Sequence, residues 1–163
     1  MKSLLILRHA KSSWKHPELN DHDRPLNQRG KRDAPRLGEY LQNEHLVPDL
    51  IVSSTAKRAF STAKTVAKVS GYKGEINLNR SLYAAGPLAY IDVLRALPNK
   101  YARVLIIGHN PGLEQLVRML TGEEHTISTC SLAHIQLRLS SWSEIENKTK
   151  GKLLVIRHPR DLN

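Results

Sequence analysis

The chain has 163 residues, 40% of them hydrophobic, and its 25 Lys and Arg against 15 Asp and Glu give a formal net charge of +10. That length suits one well-buried core and is short for two, so a single globular domain over residues 1–163 is expected. The charge favours phosphorylated or acidic partners, while one Phe, two Trp and five Tyr leave too few stacking platforms for single-stranded nucleic acid.

The first element is LLIL, residues 4–7, a short buried strand. It is four residues long and runs straight into Arg8, so it is neither a signal-peptide core nor a membrane span. No longer apolar run follows, and a soluble, cytoplasmic protein without membrane contact is expected. QRGKRDAPR (28–36) is the densest basic run and includes the solvated face of a helix, whose buried stripe is Ala34, Leu37 and Leu41; Pro35 leaves its start open. DLIVSS (49–54) is the second strand. Ala56, Ala59, Phe60, Ala63, Val66 and Ala67 mark one face of a second helix, which Gly71 closes.

EINL (75–78) is a weak third strand. Pro87 suits a first helical turn, with Leu88, Ile91 and Leu94 as the stripe. In RVLIIGHNPGLEQLVRML (103–120), Val104–Ile107 is a buried strand, Asn110 the candidate N-cap, Pro111 the first helical residue, and Leu113, Leu116, Val117 and Leu120 face the core. Ala133, Ile135, Leu137 and Leu139 alternate with polar residues as a half-exposed strand, and KLLVIR (152–157) is the last. The lone cysteine, Cys130, excludes an internal disulfide framework and a cysteine metal cluster, and reads as an inert buried residue. Strands alternating with helices predict an α/β fold, a three-layer α/β/α sandwich with a mostly parallel sheet. The two final strands, with no helix between them, form an antiparallel edge.

Ligands of open α/β sheets bind beyond the carboxyl ends of the parallel strands. Arg8 and His9 leave the first strand at such an end. Arg58 lies on the first turn of the helix after the second strand, and His109 leaves the strand at 104–107 ahead of a helix whose free N–H groups favour an anion. Each alone has a plainer reading, as a loop pair, a solvated helical arginine or part of a helix start. Together they predict an anion pocket on one sheet edge. A second Arg–His pair, Arg157–His158, follows the last strand. That strand reads as reversed and no helix follows, so this pair is expected to lie outside the pocket and to be dispensable.

LLILRHAKSSW, DRPLNQRG (23–30), SSTAKRAFSTA (53–63) and VLIIGHNPG (104–112), in this order, resemble the histidine phosphatase superfamily, and within it the small phosphohistidine phosphatases of the SixA type. The resemblance implies that His9 is the nucleophile taking up the phosphoryl group. It implies that Arg8 and Arg58 clamp the phosphate, that His109 is the second pocket histidine, and that Arg24, otherwise a turn residue before Pro25, is a further phosphate ligand. The chemistry suits these types: a neutral imidazole is nucleophilic near pH 7, and forked, permanently charged guanidinium groups grip phosphoryl oxygens. Arginines standing in for a metal predict no metal and no cofactor.

The larger branches of the superfamily carry a general-acid carboxylate. The corresponding segment here is NRSLYAAGP (79–87), with Ser81 near the expected position, and Asn110 rather than an acid follows His109. An alkoxide leaving group needs a proton delivered to it, whereas phosphohistidine can release a neutral imidazole whose far nitrogen is protonated from solvent. The expected partner is therefore a phosphohistidine protein, acidic to match the charge. A small phosphorylated ester as substrate, or a non-catalytic phosphate-binding domain, are the alternatives.

Overall fold

A computed structural model describes residues 1–162 of the chain. Six strands form one sheet: β1 (Lys2–Arg8), β2 (Leu50–Ser53), β3 (Ile76–Leu78), β4 (Arg103–Gly108), β5 (Leu132–Leu137) and β6 (Lys152–Arg157), in the order β3-β2-β4-β1-β5-β6. The strands β3, β2, β4 and β1 are parallel, and β5 and β6 add antiparallel pairings. Four helices, α1 (Gln28–Asn43), α2 (Lys57–Ser70), α3 (Pro87–Arg95) and α4 (Gly112–Thr121), cover its two faces. This is the three-layer arrangement expected from the alternation of elements.

The two faces follow from the period-two alternation of strand side chains. On β1, Leu4 and Ile6 point into the core shared with α3 and α4. Leu5 and Leu7 point into the core shared with α1 and α2. All four are fully buried, which explains why the strand reads as a continuous apolar run.

The structure revises several boundaries. Helix α1 starts at Gln28, ahead of Pro35, because the Asn27 side chain accepts from the Gly30 N–H at 2.9 Å and caps it. Pro35 sits inside the helix, and Lys31, whose carbonyl loses its usual donor, lies on the exposed face. On α3 the buried residues are Tyr90, Ile91 and Leu94, and Leu88 is exposed. Helix α4 begins at Gly112: the first-turn bonds run from Leu113 and Gln115 to the carbonyls of His109 and Pro111. Asn110 does not cap it, because its amide donates to the Ile127 carbonyl at 2.7 Å.

Strand β5 is buried rather than half-exposed, with Gln136 alone intermediate. It lies between β1 and β6, and the polar His134 meets Ser3 Oγ at 2.6 Å. The direction of β6 also departs from expectation. It is antiparallel to β5, but β5 is itself antiparallel to β1; two reversals make β6 run with β1. Arg157–His158 thus leaves its strand at the same edge of the sheet as Arg8–His9.

Candidate active site

The register of β1 and β4 places two histidines side by side. Arg8 at the end of β1 pairs with Gly108 at the end of β4, and the His9 N–H donates to the Gly108 carbonyl at 3.2 Å. His9 and His109 therefore leave neighbouring parallel strands at one level, and their ring centroids are 5.0 Å apart, close to the spacing of the strands themselves. Glycine is required at 108, because a Cβ there would collide with the Tyr90 ring and hydroxyl. That hydroxyl oxygen in turn accepts the His109 N–H at 3.2 Å.

The arginines arrive from other elements. Arg58, in the first turn of α2, and Arg24, after the short turn Asp21–Asp23, are both buried. Asp21 links them: its carboxylate accepts from Arg24 Nη1 at 3.0 Å and from Arg58 Nη2 at 2.9 Å, and its backbone carbonyl accepts from Arg58 Nη1 at 2.6 Å. Arg24 is further held by the Ser13 carbonyl and by Ser12 Oγ. Arg8, His9, Arg24, Arg58 and His109 all line one pocket of about 260 Å³. The five residues singled out in the sequence are thus brought together. Lys11, Ser12, Trp14, Asn110 and Thr129 complete the wall, and no carboxylate is among the described residues that line it.

The electrostatics fit an anion. Burial is the main force that drives the His9 pKa down to about 3; the bond to the Ala10 carbonyl opposes it, and His109, Arg58 and Arg8 reinforce it. Burial, then Arg58, brings His109 down to about 4. Both rings are therefore neutral at pH 7. His9 Nδ1 lies 2.8 Å from the Ala10 carbonyl and so carries the proton, which leaves Nε2 with its lone pair free. Arg8 Nε, His109 Nδ1 and Asn110 Oδ1, all on residues that line the pocket, are buried without a hydrogen-bond partner; Arg8 Nε is a donor suited to an anion, whereas Asn110 Oδ1 can only accept.

Sequence reasoning missed Asp21, Trp14 and the turn that carries Thr129. Asp21 could have been found from its spacing of three before Arg24 in DHDRP. Its carboxyl is held well below the ordinary range, first by the Tyr83 hydroxyl and then by the two arginines. Trp14 is exposed, and its ring packs on the Arg24 guanidinium at 3.3 Å; a lone tryptophan after KSS gives no such signal. Ser81 is outside the pocket, its hydroxyl donating to Asn79. His158 is also outside it and meets Ser131 and Ser128 instead. Among the described residues no three His, Cys, Asp or Glu side chains gather to hold a metal ion, and no helix is long and apolar enough to cross a membrane.

Comparison with known proteins agrees with this geometry. Residues 4–82 match the model of the histidine phosphatase superfamily (branch 1). An uncharacterised chloroplast protein of Arabidopsis thaliana is 34% identical over 152 residues, covering 88% of this chain and 70% of the relative. An uncharacterised protein of Mycobacterium tuberculosis is 33% identical over 115 residues, 70% of this chain and 69% of that one. Among solved structures, a protein assigned as phosphohistidine phosphatase SixA from Agrobacterium tumefaciens superposes with a TM-score of 0.83 at 26% identity, over 97% of this chain and 98% of that one. The protein histidine phosphatase SixA complexed with tungstate has the same fold, with a TM-score of 0.83 at 22% identity over 97% of each chain. The Arg–His pair that ends β1, the arginines that converge on it and these likenesses lead to one assignment: the chain belongs to the histidine phosphatase superfamily.

Proposed function

We propose that the protein is a metal-independent phosphatase that works through a phosphohistidine intermediate on His9, and that its substrate is phosphohistidine in an acidic protein. The observation that carries the first half is the state of His9. It is neutral, its Nδ1 proton is fixed on the Ala10 carbonyl, and its neighbours in the pocket are three arginines. An anion-binding site alone would have no use for a nucleophile there. In the first step His9 Nε2 bonds to phosphorus while the P–N bond of the substrate breaks, and the electron pair returns to the departing imidazole, which leaves neutral with a proton on its far nitrogen. Water then attacks phospho-His9, the new P–N bond breaks, and inorganic phosphate departs. Arg8, Arg24 and Arg58 offset the charge on the equatorial oxygens in both steps.

The substrate class is supported by what the carboxylates are doing. Among the described residues Asp21 is the carboxylate that hydrogen-bonds Arg24 and Arg58, while the charge of Glu114 acts on Arg8. Asp21 is occupied by Arg24, Arg58 and Tyr83 and held ionised, so it has no proton to give to an ester oxygen. Glu114 accepts from the Ile127 N–H at 2.8 Å, Glu18 lies beside His16, and Asp23 lies beside His22. Positioned general acids contribute about 10²–10⁴-fold. Rates on phosphohistidine or a phosphoramidate are expected to exceed those on alkyl phosphates by that order, with His9→Ala inactive on both. Equal rates on the two classes would refute the substrate reading, and an active His9→Ala would refute the nucleophile.

A further inference from the structure

The second Arg–His pair lies outside the pocket but is connected to it. The connection is the turn 127–131, whose front face holds the end of β1. The Cys130 N–H donates to the carbonyls of both Arg8 and His9 at 3.0 Å, and the Arg8 N–H donates to the Ser131 carbonyl at 3.2 Å. The Ile127 carbonyl accepts from Arg8 Nη1 at 3.2 Å and from Asn110 Nδ2 at 2.7 Å. Among the described residues this carbonyl is the hydrogen-bond partner shown for the Arg8 guanidinium, whose Nε is buried without one. Moving the turn therefore moves Arg8. The turn does not hold its shape by backbone preference alone, since Cys130 sits at φ 59°, a left-handed conformation that a residue with a Cβ adopts only under constraint.

The back face of the turn supplies a constraint. Leu132 pairs with Arg157, so continuing the antiparallel register brings Ser131 opposite His158. Ser131 Oγ lies 2.7 Å from His158 Nδ1 and 2.6 Å from Ser128 Oγ, and Ser128 Oγ lies 3.2 Å from the same Nδ1. With Nδ1 unprotonated, the Ser131 hydroxyl donates to the ring and the Ser128 hydroxyl donates to Ser131, so one nitrogen ties both ends of the turn. His158 is itself fixed, because its N–H donates to Asp161 Oδ2 at 2.8 Å.

We infer that His158 is a positioning residue for the phosphate site, acting through Ser131 and Ser128 on the turn that presents the Ile127 carbonyl to Arg8. This rests on the reading of the pocket as a phosphate site, but not on which phosphorylated substrate it takes. The dispensability expected of the second pair from sequence is thereby withdrawn for His158 and kept for Arg157, whose Nη1 donates to the neighbouring Ile156 carbonyl and whose side chain also meets Tyr40 of α1.

The test measures tungstate affinity by tryptophan fluorescence or calorimetry, with kcat/KM on a phosphoramidate and thermal stability alongside. His158→Phe keeps a ring and loses Nδ1, and is expected to weaken tungstate and lower kcat/KM about tenfold, as a small displacement of a clamping group does. His158→Asn places an amide atom where Nδ1 stands and is expected to recover most of both. Ser131→Ala should reproduce the loss without adding to it in the double variant, because both changes cut the same tie. It carries the test if His158→Phe fails to fold. Arg157→Ala should bind like the wild type. Wild-type affinity in His158→Phe and Ser131→Ala, or an Asn variant no better than Phe, would overturn the inference while leaving the phosphate site standing. Failure of the wild-type protein to bind tungstate would remove the phosphate reading and this inference together.

Discussion

Burying two neutral histidines beside arginines has a consequence for stability that can be measured without any substrate. In the unfolded chain an imidazole titrates near 6.5. In the folded protein His9 titrates at about 3 and His109 at about 4. Between these values the unfolded state binds protons that the folded state refuses, so stability is fully present above pH 6.5 and falls as the pH drops toward 4. Lowering the pH from 7.5 to 4.5 removes nearly the full two units for each ring, about 2.5 kcal/mol apiece at about 1.36 kcal/mol per unit. The sum is about 5 kcal/mol, a large part of the roughly 5–15 kcal/mol of an ordinary domain. His134, also depressed by burial, acts in the same sense. The depressed carboxyls of Asp21 and Asp161 act below the window, because their contribution is lost only as the pH falls through and below about 4. Urea titrations at half-unit steps of pH give the curve. His9→Asn, whose amide can keep the Ala10 bond, should lose about half of the slope, and saturating phosphate should flatten it by favouring the protonated rings. A stability that stays level from pH 7.5 to 4.5, or a slope indifferent to His9→Asn, would show that these rings are not held neutral.

Three further outcomes follow from the same contacts. Arg24→Lys keeps the charge but loses the fork that reaches Ser13, Ser12 and Asp21, and kcat/KM should fall at least tenfold; an unchanged value would remove Arg24 from the phosphate ligands. Activity should persist in a strong chelator, since three arginines occupy the place where a metal would neutralise phosphate; loss that a divalent cation restores would reverse that assignment. Gly108→Ala drives a Cβ into the Tyr90 ring and should cost about 1–3 kcal/mol in denaturant unfolding, part of it recovered by Tyr90→Phe.

What the sequence made legible is what is written in local pattern. The apolar runs of β1, β2 and β4 show themselves because both faces of each strand are buried. Arg8, His9 and His109 were found because strand ends can be counted, and parallel strands carry their ends to one edge. Asp21 escaped because, beyond the local pairing with Arg24 three residues on, its importance lies in contacts to Arg58 and Tyr83 in distant parts of the chain, which no spacing within one segment encodes. The direction of β6 escaped for a related reason. An antiparallel neighbour says nothing about the rest of the sheet until it is known which strand that neighbour itself pairs with. Leu88 followed the helical period of α3 and is nonetheless exposed, since a period marks a stripe but not the width of the surface that covers it.

The two Arg–His pairs share sequence, strand direction and sheet edge, so none of these distinguishes them. The difference lies in the neighbours. Strand β1 is internal: β4 on one side delivers His109 level with His9, and α2 brings Arg58 over the top. Strand β6 is the outer strand and has β5 alone beside it, and β5 begins where β6 ends, so it offers a turn with serines where β4 offers a histidine. An imidazole placed among arginines has its lone pair free for phosphorus; one placed against serine hydroxyls spends Nδ1 on them. On the proposed reading the same dipeptide supplies a nucleophile and clamp in one setting and an anchor in the other, and sheet order separates the two.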